Sequence, residues 1–403
     1  MPSQLWYLVL LLFAIQEVRS QRKLVFVQAL WRHGDRAPLQ FPYPNDKYTE
    51  EYWDRGWSQL TSLGMTQLRE LGTFFRQSYI DTGFVSSNFS TKEIYLRSSD
   101  SDRALVSAQS FLYGMYPATG NFRFDNNIDW QPIPVHANSP GEPDLVCKTT
   151  AIKCARRDEL VDNDDAQDAE FYQKKYSDLF ATLAESTGLP NLNYTDVNGL
   201  YDITRELIHN MTDLQPSWVF RTWPQYDNRT SLDIITEMRA QRMVNLYNTE
   251  EKSKLAGGTV INAWISNVNQ FINQTDTLKM HLYSSHDGVV MALMNALGIA
   301  DGKMIPYASV IIMNIFEENN KYFVEMLYRN NTAVPPYAMS LPRCPQPCEF
   351  STFSQNYQNM SVSSYAELME LCGTPLRDCN DAASLRLSVL FFSITVLMFR
   401  FLF

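Results

Sequence analysis

Residues 23–38 read KLVFVQALWRHGDRAP. The first nine form an almost unbroken apolar run of strand length, the pattern of a strand buried on both faces of a parallel sheet. Polar chemistry begins abruptly where the run ends, with Arg32, His33 and Arg36 crowded into five positions. Ligands of open α/β sheets bind beyond the carboxyl ends of strands, where the N-termini of following helices add positive potential. The stretch therefore places a site as well as a strand.

The same alternation recurs outward from it. Residues 59–79 carry Leu60, Leu63, Leu68, Leu71, Phe75 and Tyr79 largely three and four apart, an amphipathic helix. Residues 93–97 read as a second strand, and 98–102 lead into a helix reaching Tyr113, so Arg97 and Arg103 stand at a second strand-to-helix junction. A third strand over 278–285 closes on His286 and Asp287 before an apolar helix over 289–297, and 307–316 with 321–328 flank a polar turn as a hairpin. Between these lies an acidic, polar region, 138–254, with helical patterns near 165–183 and 231–247. The expected fold class is α/β: a mainly parallel sheet flanked by helices, formed by 21–137 and 255–384, with 138–254 inserted as a helical cap. Trp218, Trp223 and Tyr226 are read as packing that cap onto the sheet, or else as walls of a substrate entrance.

Composition constrains the ligand. Hydrophobic residues make up 45% and charged residues 19% of 403, a globular balance. The 34 Lys and Arg against 44 Asp and Glu leave a net charge of −10, the wrong sign for a surface that binds nucleic acid, so an anion must be held by a local basic cluster. Arg32, Arg36, Arg97 and Arg103 with His33, His286 and Asp287 make such a cluster, since guanidinium forks match phosphate oxygens and stay charged at any pH. A histidine between arginines is favoured as neutral imidazole, which makes His33 a nucleophile candidate; Asp287 is placed to protonate a leaving oxygen. With arginines neutralising the phosphoryl oxygens, no metal or cofactor is expected. His281 is read as core, His209 as exposed, and His136 has no partner pattern.

The two ends bound the compartment. Residues 1–20 contain an apolar run, 5–15, and a polar stretch that read as a secretory signal. Seven glycosylation sequons follow, at Asn88, Asn193, Asn210, Asn228, Asn273, Asn330 and Asn359. Residues 385–403 are apolar enough to be a membrane anchor with the catalytic domain outside the cytosol, or the tail of a GPI signal after the small residues at 380–383. Six cysteines in an oxidising compartment allow fifteen pairings. Spacing favours a local Cys344–Cys348 loop and a nested pair, Cys147 with Cys379 and Cys154 with Cys372. A zinc site at Cys344 and Cys348 lacks a second ligand pair, because no histidine follows His286.

RHGDRAP at 32–38 closely resembles the signature of the histidine acid phosphatases, and His286-Asp287 after a strand is similar to the family's second motif. LTSLGMTQLRELG (60–72), LRSSDSDRALVSA (96–108), WQPIPVH (130–136) and KYFVEMLYRNNT (321–332) extend the resemblance over most of the chain, most like the prostatic and lysosomal enzymes of animals. The resemblance implies a phosphoglycerate-mutase-like fold and an acid phosphatase acting on small phosphomonoesters. It implies His33 as nucleophile, Arg32, Arg36, Arg103 and His286 as phosphate ligands, Asp287 as proton donor, and a homodimer as in relatives. It further implies the Cys344–Cys348 and Cys154–Cys372 bridges, with Cys147–Cys379 additional. Gly288 and Val289 stand where relatives commonly carry hydroxyl residues. Two other functions fit the same residues: a phytase-like or mutase-like branch member, and a catalytically silent glycoprotein that binds phosphorylated ligands.

Overall fold

The computed structural model describes residues 22–374. The expected signal segment 1–20, the anchor or lipid signal at 380–403, and Cys379 with its proposed bond to Cys147 lie outside the described residues. Among the described residues no helix is long and apolar enough to cross a membrane.

The opening run forms β1, Lys23–Arg32, and its side chains alternate between two cores. Phe26 and Leu30 enter one cluster, while Val27, Ala29 and Trp31 enter the other. Gln28 is buried on the first face, where its amide donates to the Trp264 carbonyl at 3.0 Å and accepts from Asn267 at 3.1 Å, so the polar group costs little. On the second face lie α1 (Ser62–Phe75) and α2 (Asp102–Met115). The first face carries α7 (Glu250–Ile272) and α8 (Asp287–Ala296), which flank β3 (Met280–Ser285) in the chain. The 23-residue α7 is absent from the sequence reading, although Val260, Ile261, Trp264, Ile265, Val268 and Ile272 recur three and four apart along it.

The sheet is mixed, which corrects the expectation of a mainly parallel one. With β2 (Ile94–Ser98), β4 (Val310–Glu318), β5 (Lys321–Arg329) and β6 (Tyr337–Met339), its order is β2-β3-β1-β4-β5-β6. Only β2, β3 and β1 run parallel; β4 returns antiparallel to β1, and β5 and β6 continue antiparallel. β4 begins beside the carboxyl end of β1, with Val310 opposite Trp31, and so runs back along it. Asn319 and Asn320 both take positive φ, +54° and +58°, which closes a two-residue turn and forces β5 back along β4.

The intervening region forms a third apolar cluster of its own. It is built on α3 (Ala155–Lys175), α4 (Ser177–Thr187), the short α5 (Ile203–Ile208) and α6 (Ser231–Asn245). A single helix across 165–183 is thus replaced by two, broken at Tyr176. Trp218 and Trp223 are buried inside this cluster with Tyr226 against them, so they pack neither onto the sheet nor along the pocket described below. Disulfides Cys154–Cys372 and Cys344–Cys348 are formed; Cys147 is buried and unpaired among the described residues.

Candidate active site

Because β2, β3 and β1 are parallel neighbours, their carboxyl ends converge. The His33 amide donates to the Ser285 carbonyl at 2.9 Å, and the Ser99 amide to the Ser284 carbonyl at 3.1 Å. Three segments distant in sequence thereby share one rim: Arg32–His33, His286–Asp287, and Ser99 with Arg103. Gly34 is required for this approach, since a Cβ there would lie 2.3 Å from the Gly64 carbonyl oxygen at the start of α1. Any side chain would push the motif off the helix.

The His33 ring has a defined tautomer. Its Nδ1 lies 2.8 Å from the Gly34 carbonyl, which only an N–H can satisfy, so Nε2 keeps its lone pair. That atom accepts from Arg103 Nε at 3.2 Å. Burial, with His286, Arg32 and Arg103 close by, holds the imidazole well below the usual histidine range. His286 meets His33 edge to face at 5.4 Å, and its Nε2 lies 2.8 Å from Ser99 Oγ. Burial and then Arg103 push His286 below the usual histidine range, against the opposing pull of the Asp287 carboxylate.

Asp287 begins α8 and faces Arg32, Oδ2 to Nη2 at 3.0 Å, while Oδ1 accepts from the Gly288 amide at 2.8 Å. Burial alone would raise this carboxyl, but Arg32, Arg239 and His286 outweigh it and hold it down to about 2. Arg32 is itself stacked 3.8 Å over the Tyr307 ring and donates to the Ile305 carbonyl. Gly288 has a packing reason: a Cβ would come within 2.6 Å of Tyr247 Oη, which occupies the space a larger residue would need.

A pocket of about 560 Å³ opens beside this rim. Arg32, Arg36, Asp287 and Tyr307 line it, together with residues from the helical region. Of the basic cluster read from sequence, Arg97 is the one the structure removes. It lies one step out of phase on β2, beside Tyr95 rather than with the buried Ile94 and Leu96, so its guanidinium points to the other face. There it binds Asn138 and Asp144, both at 2.6 Å.

Sequence reasoning missed Asp202, Arg205 and Arg239, all in the pocket wall. Asp202 pairs with Arg36 at 3.1 Å, and Arg205 with Asp35 at 3.1 Å. His209, expected to be exposed, donates from Nε2 to Asp35 at 2.7 Å and lies edge-on to Trp53. A signal was present: Asp202, Arg205, Glu206 and His209 sit at i, i+3, i+4 and i+7, one face of a helix turned toward the motif. His281 is buried as expected, and His136 stacks on Tyr95 at 5.0 Å. Among the described residues no group of three or more His, Cys, Asp or Glu side chains has the arrangement to hold a metal ion.

The family model for the histidine phosphatase superfamily, branch 2, matches residues 23–329, which include every segment of this rim. The chain belongs to that family. Human lysosomal acid phosphatase is 34% identical over 358 residues, covering 88% of this chain and 82% of the relative. Human prostatic acid phosphatase is 33% identical over 356 residues, covering 87% and 89%. Among solved structures, the phytase of Citrobacter braakii matches with a TM-score of 0.63 at 14% identity, covering 89% of this chain and all of that one. At that identity this histidine phosphatase shares the phytase's fold, and no more follows.

Proposed function

We propose that this histidine phosphatase is an acid phosphatase that hydrolyses small phosphomonoesters through a phosphohistidine at His33. The observation that carries the reading is the His33 tautomer: Nδ1–H is committed to the Gly34 carbonyl, leaving the Nε2 lone pair as the ring's nucleophilic atom, turned toward the arginines of the rim. Arg103 occupies that lone pair in the empty site and turns to the phosphoryl oxygens when substrate enters; Arg32, Arg36 and His286 supply the remaining contacts. Nε2 attacks phosphorus, the phosphorus–oxygen bond to the leaving group breaks, and Asp287 gives its proton to the departing oxygen. In the second step Asp287 takes a proton from water, whose oxygen attacks the phosphohistidine and releases phosphate.

Arg32 keeps the empty-site Asp287 ionised, so the proton it donates arrives with the substrate. A phosphomonoester monoanion, whose second ionisation falls near pH ~6, carries one. As the phosphate takes Arg32 from Asp287, the carboxyl loses its strongest partner and becomes the better place for that proton. Activity therefore belongs below neutral pH.

The region 138–254 is read as a cap contributing the far wall of the pocket, over an α/β domain of 21–137 and 255–384. A secretory or lysosomal location is supported by the names of the relatives and by six exposed sequon asparagines: 88, 193, 210, 228, 273 and 359. The test is p-nitrophenyl phosphate hydrolysis across pH 4–8, with alkaline quenching in mid-turnover. Base-stable, acid-labile phosphate on wild type and none on His33→Ala is expected; unlabelled wild-type enzyme that still turns over would refute the covalent route.

A further inference from the structure

Among the described residues one arginine of the pocket is paired neither with a carboxylate nor with the nucleophile. Arg32 pairs with Asp287, Arg36 with Asp202, and Arg205 with Asp35, while Arg103 faces the nucleophile. That leaves Arg239 on α6. Among the described residues it forms no ion pair, and its one side-chain hydrogen bond is to a neutral acceptor, Asn198 Oδ1, at 2.8 Å. The contrast with its neighbour is direct: Arg242, one turn along the same helix, is held by both oxygens of Asp165.

Three observations point Arg239 at a ligand. It lines the pocket together with Asn198 and with Met243, four residues later on the same face of α6. Asn198 is itself fixed, because its amide donates to the Thr195 carbonyl at 3.0 Å, so its oxygen is presented to the guanidinium and holds it in place without neutralising it. The Arg239 charge also acts on the Asp287 carboxyl. Asp287 marks where the leaving oxygen departs, so Arg239 stands on the leaving-group side of the phosphate and not among its ligands. A partly buried, oriented guanidinium with most of its donors unused is a site for a carboxylate or a phosphate oxygen.

We propose that Arg239, held by Asn198, is a second anion subsite, and that the enzyme prefers phosphomonoesters whose leaving group bears a further carboxylate or phosphate. The inference rests on the phosphatase reading above. Its test compares three esters at low ionic strength: glycerol 3-phosphate without a second anion, 3-phosphoglycerate with a carboxylate, and propane-1,3-diol bisphosphate with a second phosphate. Wild type is expected to favour one or both esters with an anionic leaving group over glycerol 3-phosphate by at least about tenfold in kcat/KM, the value of one charge-assisted contact. Arg239→Gln should collapse that ratio and Arg239→Lys should restore part of it; which arm responds identifies the second anion. Thermal stabilisation by the same three compounds is measured alongside and reads the subsite without chemistry. Loss of the phosphatase reading would appear as no turnover of p-nitrophenyl phosphate. Equal preference in wild type in both measurements, or a ratio unchanged by Arg239→Gln, would overturn the subsite itself.

Discussion

Replacing Asp287 by Asn separates two effects that removal of a catalytic group usually confounds. The carboxylate accepts twice, from Arg32 Nη2 at 3.0 Å and from the Gly288 amide at 2.8 Å. An amide in the same place has one acceptor and must turn its NH₂ toward one of those two donors. Because the Gly288 amide is rigid at the start of α8, the NH₂ faces Arg32, and the guanidinium is released toward the phosphate. Inorganic phosphate should therefore bind Asp287→Asn more tightly, by roughly ten- to a hundredfold, the range of a charge-assisted hydrogen bond. The chemical step should move the other way, and unequally. A proton to the leaving oxygen is worth on the order of a hundred- to ten-thousandfold when that oxygen is a basic alkoxide, and little for nitrophenolate, which leaves without one. Isothermal titration with phosphate measures the first effect. Single-turnover quenching across esters of graded leaving-group basicity measures the second. Weaker phosphate binding together with an equal loss for every ester would refute both the ion-pair competition and the proton-donor role, and would make Asp287 a residue that orients His286.

Stability should fall as pH rises. Glu206 on α5 and Asp46 in the loop after β1 are both buried, and their side chains hydrogen-bond to each other, which requires a proton on one of them. Tyr43, Tyr48, Asp202 and Gln215 surround them, and no cation figures among the groups acting on either. Burial, and then each other's charge, raise Glu206 well above the carboxylate range, so the folded state binds a proton that the unfolded chain loses near pH 4.5. That contribution is whole below this pH and declines above it by up to about 1.4 kcal/mol per unit. Melting temperature should drop between pH 5 and 8 in wild type and drop less in Glu206→Gln; parallel curves would mean the pair is not protonated. Arg97→Ala should lower the melting temperature, because it leaves Asp144 buried and unpaired, yet change the inhibition constant of phosphate by less than about twofold, within the range of a remote site. Arg103→Ala should instead weaken competitive inhibition by phosphate roughly tenfold or more and slow turnover; unchanged inhibition would take Arg103 out of the phosphate shell.

The sequence by itself determined the parts governed by local order. The apolar run of 23–31 could only be a buried strand, and the charged residues that follow it had to stand at its carboxyl end. His33 and Asp287 were legible for the same reason, since each stands within two residues of the carboxyl end of a strand, where polar side chains interrupt apolar runs. Tertiary structure decided what depends on facing. Arg97 lies one residue before the end of its strand, and the alternation of side chains turned it to the opposite face, a matter of register that neighbours in space settle. Arg205 and Arg239 entered the pocket from helices roughly 170 or more positions away from the first motif; the polar face of α5 marks Arg205 only as facing something charged, and nothing local marks Arg239. The charge state of the site is likewise a property of the assembly. Burial and convergent guanidinium groups together hold His33 neutral, while at Asp287 the guanidinium groups outweigh burial and keep the carboxyl ionised in the empty pocket, and those distances exist only once β1, β3 and β2 lie side by side.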